Sequence, residues 1–486
     1  MAELRGVVER FVASAAAPAV LDSGEEPLRL VPDHWSLSEW NGRLVLQAWD
    51  ARRNLVRKVT GLGVQKRDRI GLLVERFPKA QGELQIADLA APLGRDLERK
   101  GSRAAFRERF SLMLAREFPD WRLEEISSEP NLEDSLSPSY ARAMLRKGSA
   151  AMAVLAAPPE CGDFAGVVPF GVIWLDYLRR REQALSVGCL LLFCPIRQER
   201  EVASRAAVLG PQALCHLYVF DDKGRCGAVE FADAGNVDST LPPARQPMSP
   251  NTAPPVFPDL AEVERVDQSD GSISFRVKGL EFARWNVGKL TCGVGRRSRC
   301  SMADLVALAR ELTRVRSGEA EDRQHPLYLQ YPEGWLESEI RQDPGAVDAT
   351  LLRGPVYGQV PVLAGGADRG IIDLLAVDHE GRLVVIEVKA AADPRLPFQA
   401  IDYWLRVRKH LFAGDFERLG YFAGVVLRRE SPRILLVAPA LEFHSTSETV
   451  IGALQREIEI MRIGLAADWR KGLRVMFRLQ GAEHPQ

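Results

Sequence analysis

The run Gly370–Ala390, GIIDLLAVDHEGRLVVIEVKA, limits the fold more than any other stretch, because it reads as a β-hairpin carrying charge where its core should be apolar. Two apolar runs flank Asp378-His379-Glu380-Gly381-Arg382, and Gly381 supplies the residue that a short hairpin loop needs at positive φ. With Asp378 opposite Arg382, the register predicts Val377 against Leu383, Leu375 against Val385 and Asp373 against Glu387. Lys389 falls on the face of Glu387, since strand side chains alternate. Ile372, Leu374, Ala376, Val384, Ile386 and Val388 line the other face, so both faces are apolar, as in a sheet covered by helices on both sides.

Asp373 and Glu387 are the anomaly. Directly opposed side chains have Cβ atoms about 5 Å apart, and two carboxylates at that distance repel unless one is protonated or a cation lies between them. Two hard oxygen ligands and the adjacent main-chain carbonyl of Val388 suit Mg²⁺ or Mn²⁺, with positions left for water and a substrate phosphate. Lys389 projects beside them. The bland alternative, a buried ion pair between Lys389 and one carboxylate, leaves the second acid unpaired inside an apolar sheet, at a cost of about 1–3 kcal/mol or more.

Asp373, thirteen intervening residues, then Glu387-Val388-Lys389 resembles the signature of the PD-(D/E)XK nuclease superfamily. Upstream, Leu336-Glu337-Ser338-Glu339-Ile340 followed by Pro344 is similar to the helix that supplies a further acid in many members. Downstream, Gln399 and Tyr403 share the i, i+4 helical spacing of the RecB-like and NucS-like branches. Ile372 stands where a Pro often precedes the first Asp. The resemblance covers about the last 160 residues. It implies a restriction-endonuclease-like core of helix, three strands, helix and strand, in a mixed sheet flanked by helices. It also implies a Mg²⁺- or Mn²⁺-dependent endonuclease acting on nucleic acid, DNA before RNA, in repair or defence. Asp373, Glu387 and Lys389 would then be catalytic, with Gln399 touching the attacking water or substrate backbone, Tyr403 a phosphate, and Glu337 the helix acid. Periodicity by itself selects Glu339, which projects within the stripe marked by Trp335, Leu336 and Ile340. The alternative is a catalytically silent nucleic-acid-binding or assembly protein that keeps the fold.

The formal charge of −1 over 486 residues gives no global attraction to nucleic acid, so binding must come from local patches. On the helix after the hairpin, Gln399, Tyr403, Arg406 and His410 align opposite Phe398, Ile401 and Leu405, and Arg395, Arg408 and Lys409 add positive potential. Arg395, Arg406 and Lys409, with the tight turn Arg296-Arg297-Ser298-Arg299, are the candidate backbone contacts. His444 and His484 fall in a loop and the tail and stay outside the site.

Seven Cys, without a CxxC pair, argue against a zinc ribbon or a disulfide framework, and fit a cytoplasmic location. The first 18 residues read as an amphipathic helix and lack the apolar segment of a secretory signal. Ala184–Ile196 is too short to cross a bilayer, so no membrane partner is expected. A homodimer is left open.

Residues 1–235 read as an α/β region for holding nucleic acid or another partner. Trp35 to Val59 reads as strands turned at Asn41-Gly42, with Trp35, Trp40 and Trp49 among Arg43, Arg52, Arg53, Arg57 and Lys58. Such a patch either stacks bases and tracks phosphates or is the solvated face of a half-buried sheet. Helical periodicity is read from Phe77 to Trp121 through Ile86 and Leu89, and a further helical piece from Ser137-Pro138 to Gly148. Residues 149–235 alternate apolar runs, Val167–Trp174 among them, with helices. The run Leu191–Pro195 supplies no acid and no lysine, so a second centre with Asp176 in the role of Asp373 is not expected. Seven prolines between Pro242 and Pro258 mark residues 236–258 as a stiff linker. Residues 259–325 form a small α+β unit, whose helix Ser301 caps, and residues 326–486 the nuclease-like domain. Phe422–Leu427 and Ile434–Ala438 are assigned to its sheet.

Overall fold

A computed structural model describes residues 2–22, 27–40, 43–50, 53–76, 80–231, 239–244, 262–268, 271–286, 288–361 and 371–483. Among these residues the chain is a mixed α/β structure of four β-sheets and ten α-helices. It gathers into two compact bodies, neither continuous in sequence. One holds Met1–Gly162, Glu182–Ile196 and Tyr218–Ala228, and the other Asp163–Arg181, Arg197–Leu217 and Val229–Gln486.

The first body opens with helix α1 (Ala2–Ser14) and strands β1 (Pro18–Leu21), β2 (Leu28–Arg29), β3 (Trp35–Trp40), β4 (Arg43–Trp49), β5 (Asn54–Gln65), β6 (Arg69–Arg76) and β7 (Ala80–Asp88). They form an antiparallel sheet in the order β2-β1-β7-β6-β5-β4-β3, whose core includes Leu44, Leu46, Leu72, Val74, Leu84 and Ile86. The sequence is misread at β7. Leu84 and Ile86 belong to a strand, buried at every second residue, and the helix α2 (Pro92–Glu117) begins only at the proline beyond it. Trp35 packs on this sheet's core, while Arg57 pairs with the buried Asp22 at 2.7 Å, so neither is a free member of a basic aromatic patch. Asn41-Gly42 and Arg52 lie outside the described residues.

Strands β8 (Arg122–Ser127), β9 (Ala141–Lys147) and β10 (Ala150–Ala156) form an antiparallel meander. The helix expected from Ser137 is strand β9, paired with β10 across Lys147 and Ala150, and Gly148 takes the positive φ of that turn. The Val167–Trp174 run lies in helix α3 (Val167–Arg181), where nine residues are buried. An apolar run of that length has no period that separates a buried strand from a buried helix. Asp176 sits on α3 and pairs with Arg180 at 3.0 Å. Strand β11 (Ser186–Pro195) runs parallel to β10; after helix α4 (Glu199–Ala206), β12 (Cys215–Phe220) and β13 (Cys226–Val229) complete the order β13-β12-β11-β10-β9-β8.

In the second body, β14 (Val263–Asp267), β15 (Ile273–Val277), β16 (Leu280–Asn286), β17 (Lys289–Cys292) and β18 (Ser298–Arg299) form a sheet in sequence order. Helix α5 (Met302–Val315) packs on it through Leu305, Ala309 and Leu312, and Ser301 caps it in a reciprocal box with Asp304. Cys292 and Cys300 are joined as a disulfide, a pairing the sequence reading did not anticipate; the other five Cys are not disulfide-bonded. The chain continues through α6 (Pro326–Leu329), α7 (Pro332–Gln342), β19 (Tyr357–Pro361), β20 (Ile371–Val377), β21 (Leu383–Val388), α8 (Leu396–Ala413), α9 (Asp415–Arg418), β22 (Arg433–Pro439), α10 (Ser447–Gly452), β23 (Ile460–Leu465) and β24 (Val475–Gln480). The sheet runs in that strand order. β19, β20 and β21 are antiparallel neighbours, and β22 and β23 continue parallel to β21. Phe422–Leu427 is not one of its strands; Phe422 and Leu427 are buried, but the segment is a turn with Phe422 at φ 51°.

The chain therefore lays down helix, three-strand meander, helix and parallel strand twice, as α2-β8-β9-β10-α3-β11 and as α7-β19-β20-β21-α8-β22. Parts of the 236–258 stretch are docked rather than spacing: the Tyr421 hydroxyl donates to the Pro242 carbonyl at 3.0 Å, and Leu241 and Ala244 pack on the core beneath α8. Residues 245–258 lie outside the described set.

Candidate active site

The hairpin forms with the register its loop implies. Leu374 faces Ile386, Leu375 faces Val385, Ala376 faces Val384 and Val377 faces Leu383, with Gly381 at φ 83° in the turn. Regular pairing stops one residue short of Asp373 and Glu387. There the Val388 N–H donates to Asp373 Oδ2 at 2.9 Å, so a carboxylate replaces the next rung of the ladder. The two carboxyl groups are close enough for the charge of Asp373 to act on Glu387.

Glu387 is 2% exposed. Its Oε1 accepts from Lys389 Nζ at 3.3 Å, while its Oε2 is buried without a hydrogen-bond partner. Burial, then the Asp373 charge, pushes the Glu387 carboxyl well above its ordinary value. Burial likewise lifts Asp373, to about 6, against the pull of the Val388 N–H and Lys389. Burial of Lys389 works against its charge, but Glu387 and Asp373 outweigh it and hold the ammonium protonated.

Glu337 is the helix acid that faces this pair. It is 4% exposed, its Oε2 accepts from Gln359 Nε2 at 2.9 Å and its Oε1 from the Tyr331 hydroxyl at 3.4 Å. Burial, then the nearby Asp373 charge, raises it to about 7. Glu339, the choice from periodicity, turns elsewhere, to Lys278 at 2.9 Å and Trp335 Nε1 at 3.0 Å. Sequence reasoning missed Gln359, Tyr331 and Glu333. The first two hold Glu337, and Glu333 lies 3.9 Å from Lys389. Gln359 and Tyr331 both sit at positive φ, 55° and 49°, which no side-chain pattern announces. Only Pro332, opening the helix, marks the neighbourhood in the sequence.

On α8, Gln399 and Tyr403 divide from the rest of their stripe. Gln399 Oε1 is buried without a partner. Burial and the nearby Glu387 and Asp373 charges raise the Tyr403 hydroxyl, which therefore stands as a neutral donor beside the acids. Arg406, expected at an exposed edge, is 7% exposed and donates to the Asp402 carbonyl at 3.3 Å. His410 is buried between Asp415 Oδ2 and Ser239 Oγ, each at 2.6 Å. Arg395 pairs with Asp393 at 3.1 Å, and Lys409 is exposed near the far end of the helix. Arg296, Arg297 and Arg299 are exposed on the β17–β18 turn, Arg297 paired with Glu281 at 2.6 Å. His444 shares a hydrogen bond with Thr446; His484 lies outside the described residues.

Among the described residues, no three His, Cys, Asp or Glu side chains converge as a set that could hold a metal ion. A divalent cation here would take Asp373 and Glu387 and fill its shell from the Val388 carbonyl, water or substrate. The orphaned Glu387 Oε2 and the raised carboxyls fit such a cation, since an added positive charge would relieve both. In the earlier copy of the strand pattern, β9 (ARAMLRK) and β10 (AAMAVLA) carry no carboxylate, so the repeat has no counterpart of this centre.

No family model, curated protein or solved structure matches the chain. Among the described residues no helix is long and apolar enough to cross a membrane.

Proposed function

We propose that the chain is a metal-dependent nuclease that hydrolyses phosphodiester bonds, a DNA endonuclease first, with a restriction-endonuclease-like core formed by α7 to β22. The observation that carries this reading is the unpartnered Glu387 Oε2, buried beside Asp373 with Lys389 on the same face. Mg²⁺ or Mn²⁺ held by Asp373, Glu387 and the Val388 carbonyl would supply charge neutralisation at the scissile phosphate and a more acidic water. Lys389, kept protonated, stabilises the charge that grows on the phosphate oxygens. Tyr403 donates to a phosphate oxygen, and Gln399 Oε1, unpartnered, accepts from the attacking water. Glu337 holds Tyr331 and Gln359 in place and adds negative charge behind the pair.

A second reading, a silent nucleic-acid-binding or assembly protein, is favoured by two contacts: Asp373 is satisfied by the Val388 N–H and Lys389 by Glu387. A cleavage assay over single-stranded, branched and duplex DNA and RNA, with chelator controls, separates the two. The nuclease reading expects divalent-dependent cleavage that Asp373→Ala and Lys389→Ala abolish while labelled DNA still shifts on a gel. Cleavage retained by either variant, or none by the wild type with any substrate, overturns it.

A further inference from the structure

A cavity of about 840 Å³ opens in the second body where the end of α5 and the loop after it meet the turn Trp469–Lys471. None of the residues of the candidate active site lines it; Glu339, on the other side of α7 from that site, does. Gly318 lets the two segments meet, since a Cβ there would run into the Arg470 carbonyl.

Its walls carry three arginines with no carboxylate partner among the described residues, the exposed Arg314 and the more enclosed Arg316 and Arg470. Arg316 is fully buried and donates to the main-chain carbonyls of Leu327 and Gln330 at 2.7 Å and of Lys278 at 2.8 Å. Arg470 lies over Trp469 at 4.3 Å, Tyr328 at 5.1 Å and Trp335 at 5.3 Å, and Arg316 over Trp335 at 4.7 Å. Three buried polar atoms of these walls have no hydrogen-bond partner, namely Arg316 Nε, Arg470 Nε and Thr313 Oγ1. Burial, then the charge of Arg470, lowers Arg316 to about 10, which is the cost of placing two cations together out of water.

We infer that this cavity is an anion site that binds a phosphate group, with Arg470 and Thr313 as direct donors and Arg316 supplying charge from behind. A phosphate offers acceptors to the two direct donors, Arg470 and Thr313, and its charge offsets the repulsion between the guanidinium groups, Arg316 among them, without touching Arg316. Carboxylates also line the cavity, but Glu339 is paired with Lys278 at 2.9 Å and Glu319 with Lys471 at 3.5 Å. Glu262, Glu321 and Asp322 are exposed at the rim, where water screens them. The group could arrive free, on a mononucleotide or at the end of a nucleic-acid strand.

Titration of the full chain with inorganic phosphate, against chloride at matched ionic strength, tests the site. Trp335 and Trp469 lie beneath the Arg316 and Arg470 guanidinium groups, so tryptophan fluorescence should change saturably, with a parallel rise in melting temperature. Arg470→Gln should weaken binding by about tenfold or more, the loss expected for one charge-assisted hydrogen bond, and Arg470→Lys should restore part of it. Thr313→Val serves as an independent variant if Arg470→Gln perturbs folding, judged by near-ultraviolet circular dichroism. A mononucleotide and an oligonucleotide with and without a 5′-phosphate distinguish the sources. No saturable response to phosphate in any form, or unchanged binding by both Arg470→Gln and Thr313→Val, overturns the proposal.

Discussion

Asp373 accepts the main-chain N–H of Val388 across the mouth of the hairpin, where a ladder rung would otherwise be. The carboxylate is therefore a structural end-piece of the β20–β21 pair as well as a candidate ligand. The two roles separate by substitution. Asp373→Asn keeps an acceptor for Val388, and its melting temperature should stay at or above that of the wild type while cleavage is lost. Asp373→Ala leaves a buried N–H unpaired and should cost about 1–3 kcal/mol. Urea unfolding of both variants beside the wild type measures the difference; equal destabilisation by the two would deny the structural role.

Glu387→Gln removes a charge that burial and Asp373 disfavour. In chelator, this variant should be more stable than the wild type, as expected where a site holds strain for function. With Mg²⁺ or Mn²⁺ present the order should reverse, because only the wild type gains from binding the ion. Thermal unfolding with and without the ions tests both halves, and a variant less stable in chelator would contradict the account.

The raised carboxyls also set a pH dependence. A carboxyl whose folded pKa lies above its unfolded value favours the fold below the ordinary carboxylate range and loses that contribution as pH rises through the folded value. Asp373 at about 6 and Glu337 at about 7 thus make the metal-free protein lose stability between roughly pH 4 and 7. The fall should be smaller in the Glu337→Gln/Asp373→Asn double variant. Melting temperatures at pH 5 and 8 in chelator give the comparison, and an identical fall in both proteins would show that the acids are not its source.

His410 ties Ser239 to Asp415. His410→Ala should release residues 239–244 from the core that Leu241 and Ala244 join. Faster amide exchange there, and faster proteolysis near Pro242, are expected without loss of the β20–β21 hairpin. Unchanged exchange would mean that Tyr421 and the apolar contacts suffice.

The hairpin was legible because the short polar loop, with Gly381 at the turn and Asp378 opposite Arg382, leaves a single register even though both of its faces are apolar. The choice of Glu337 came from the resemblance, since the helical stripe alone selects Glu339, which is also enclosed but meets Lys278. What stayed hidden is tertiary. Nothing near Arg406 says that α8 is covered there, and Gln359 reaches Glu337 only through a backbone twist. Strands β7 and β9 were read as helices because short amphipathic runs with mixed charge satisfy either period over a few turns.

Arg205 of α4 reaches Asp402 of α8 at 2.6 Å and lies over Phe398, while Gln212 donates to the Gly452 and Leu454 carbonyls at 2.6 and 2.9 Å. The half of the molecule that bears Asp373 and Glu387 is thus finished by chain laid down some two hundred residues earlier. Scissors applied at the proline stretch would not free a self-sufficient fold, because a fragment starting at Asp259 would leave Asp402 without its guanidinium and the carbonyls at the end of α10 without Gln212. A split protein should regain its shape only when the piece spanning 163–217 is returned to it.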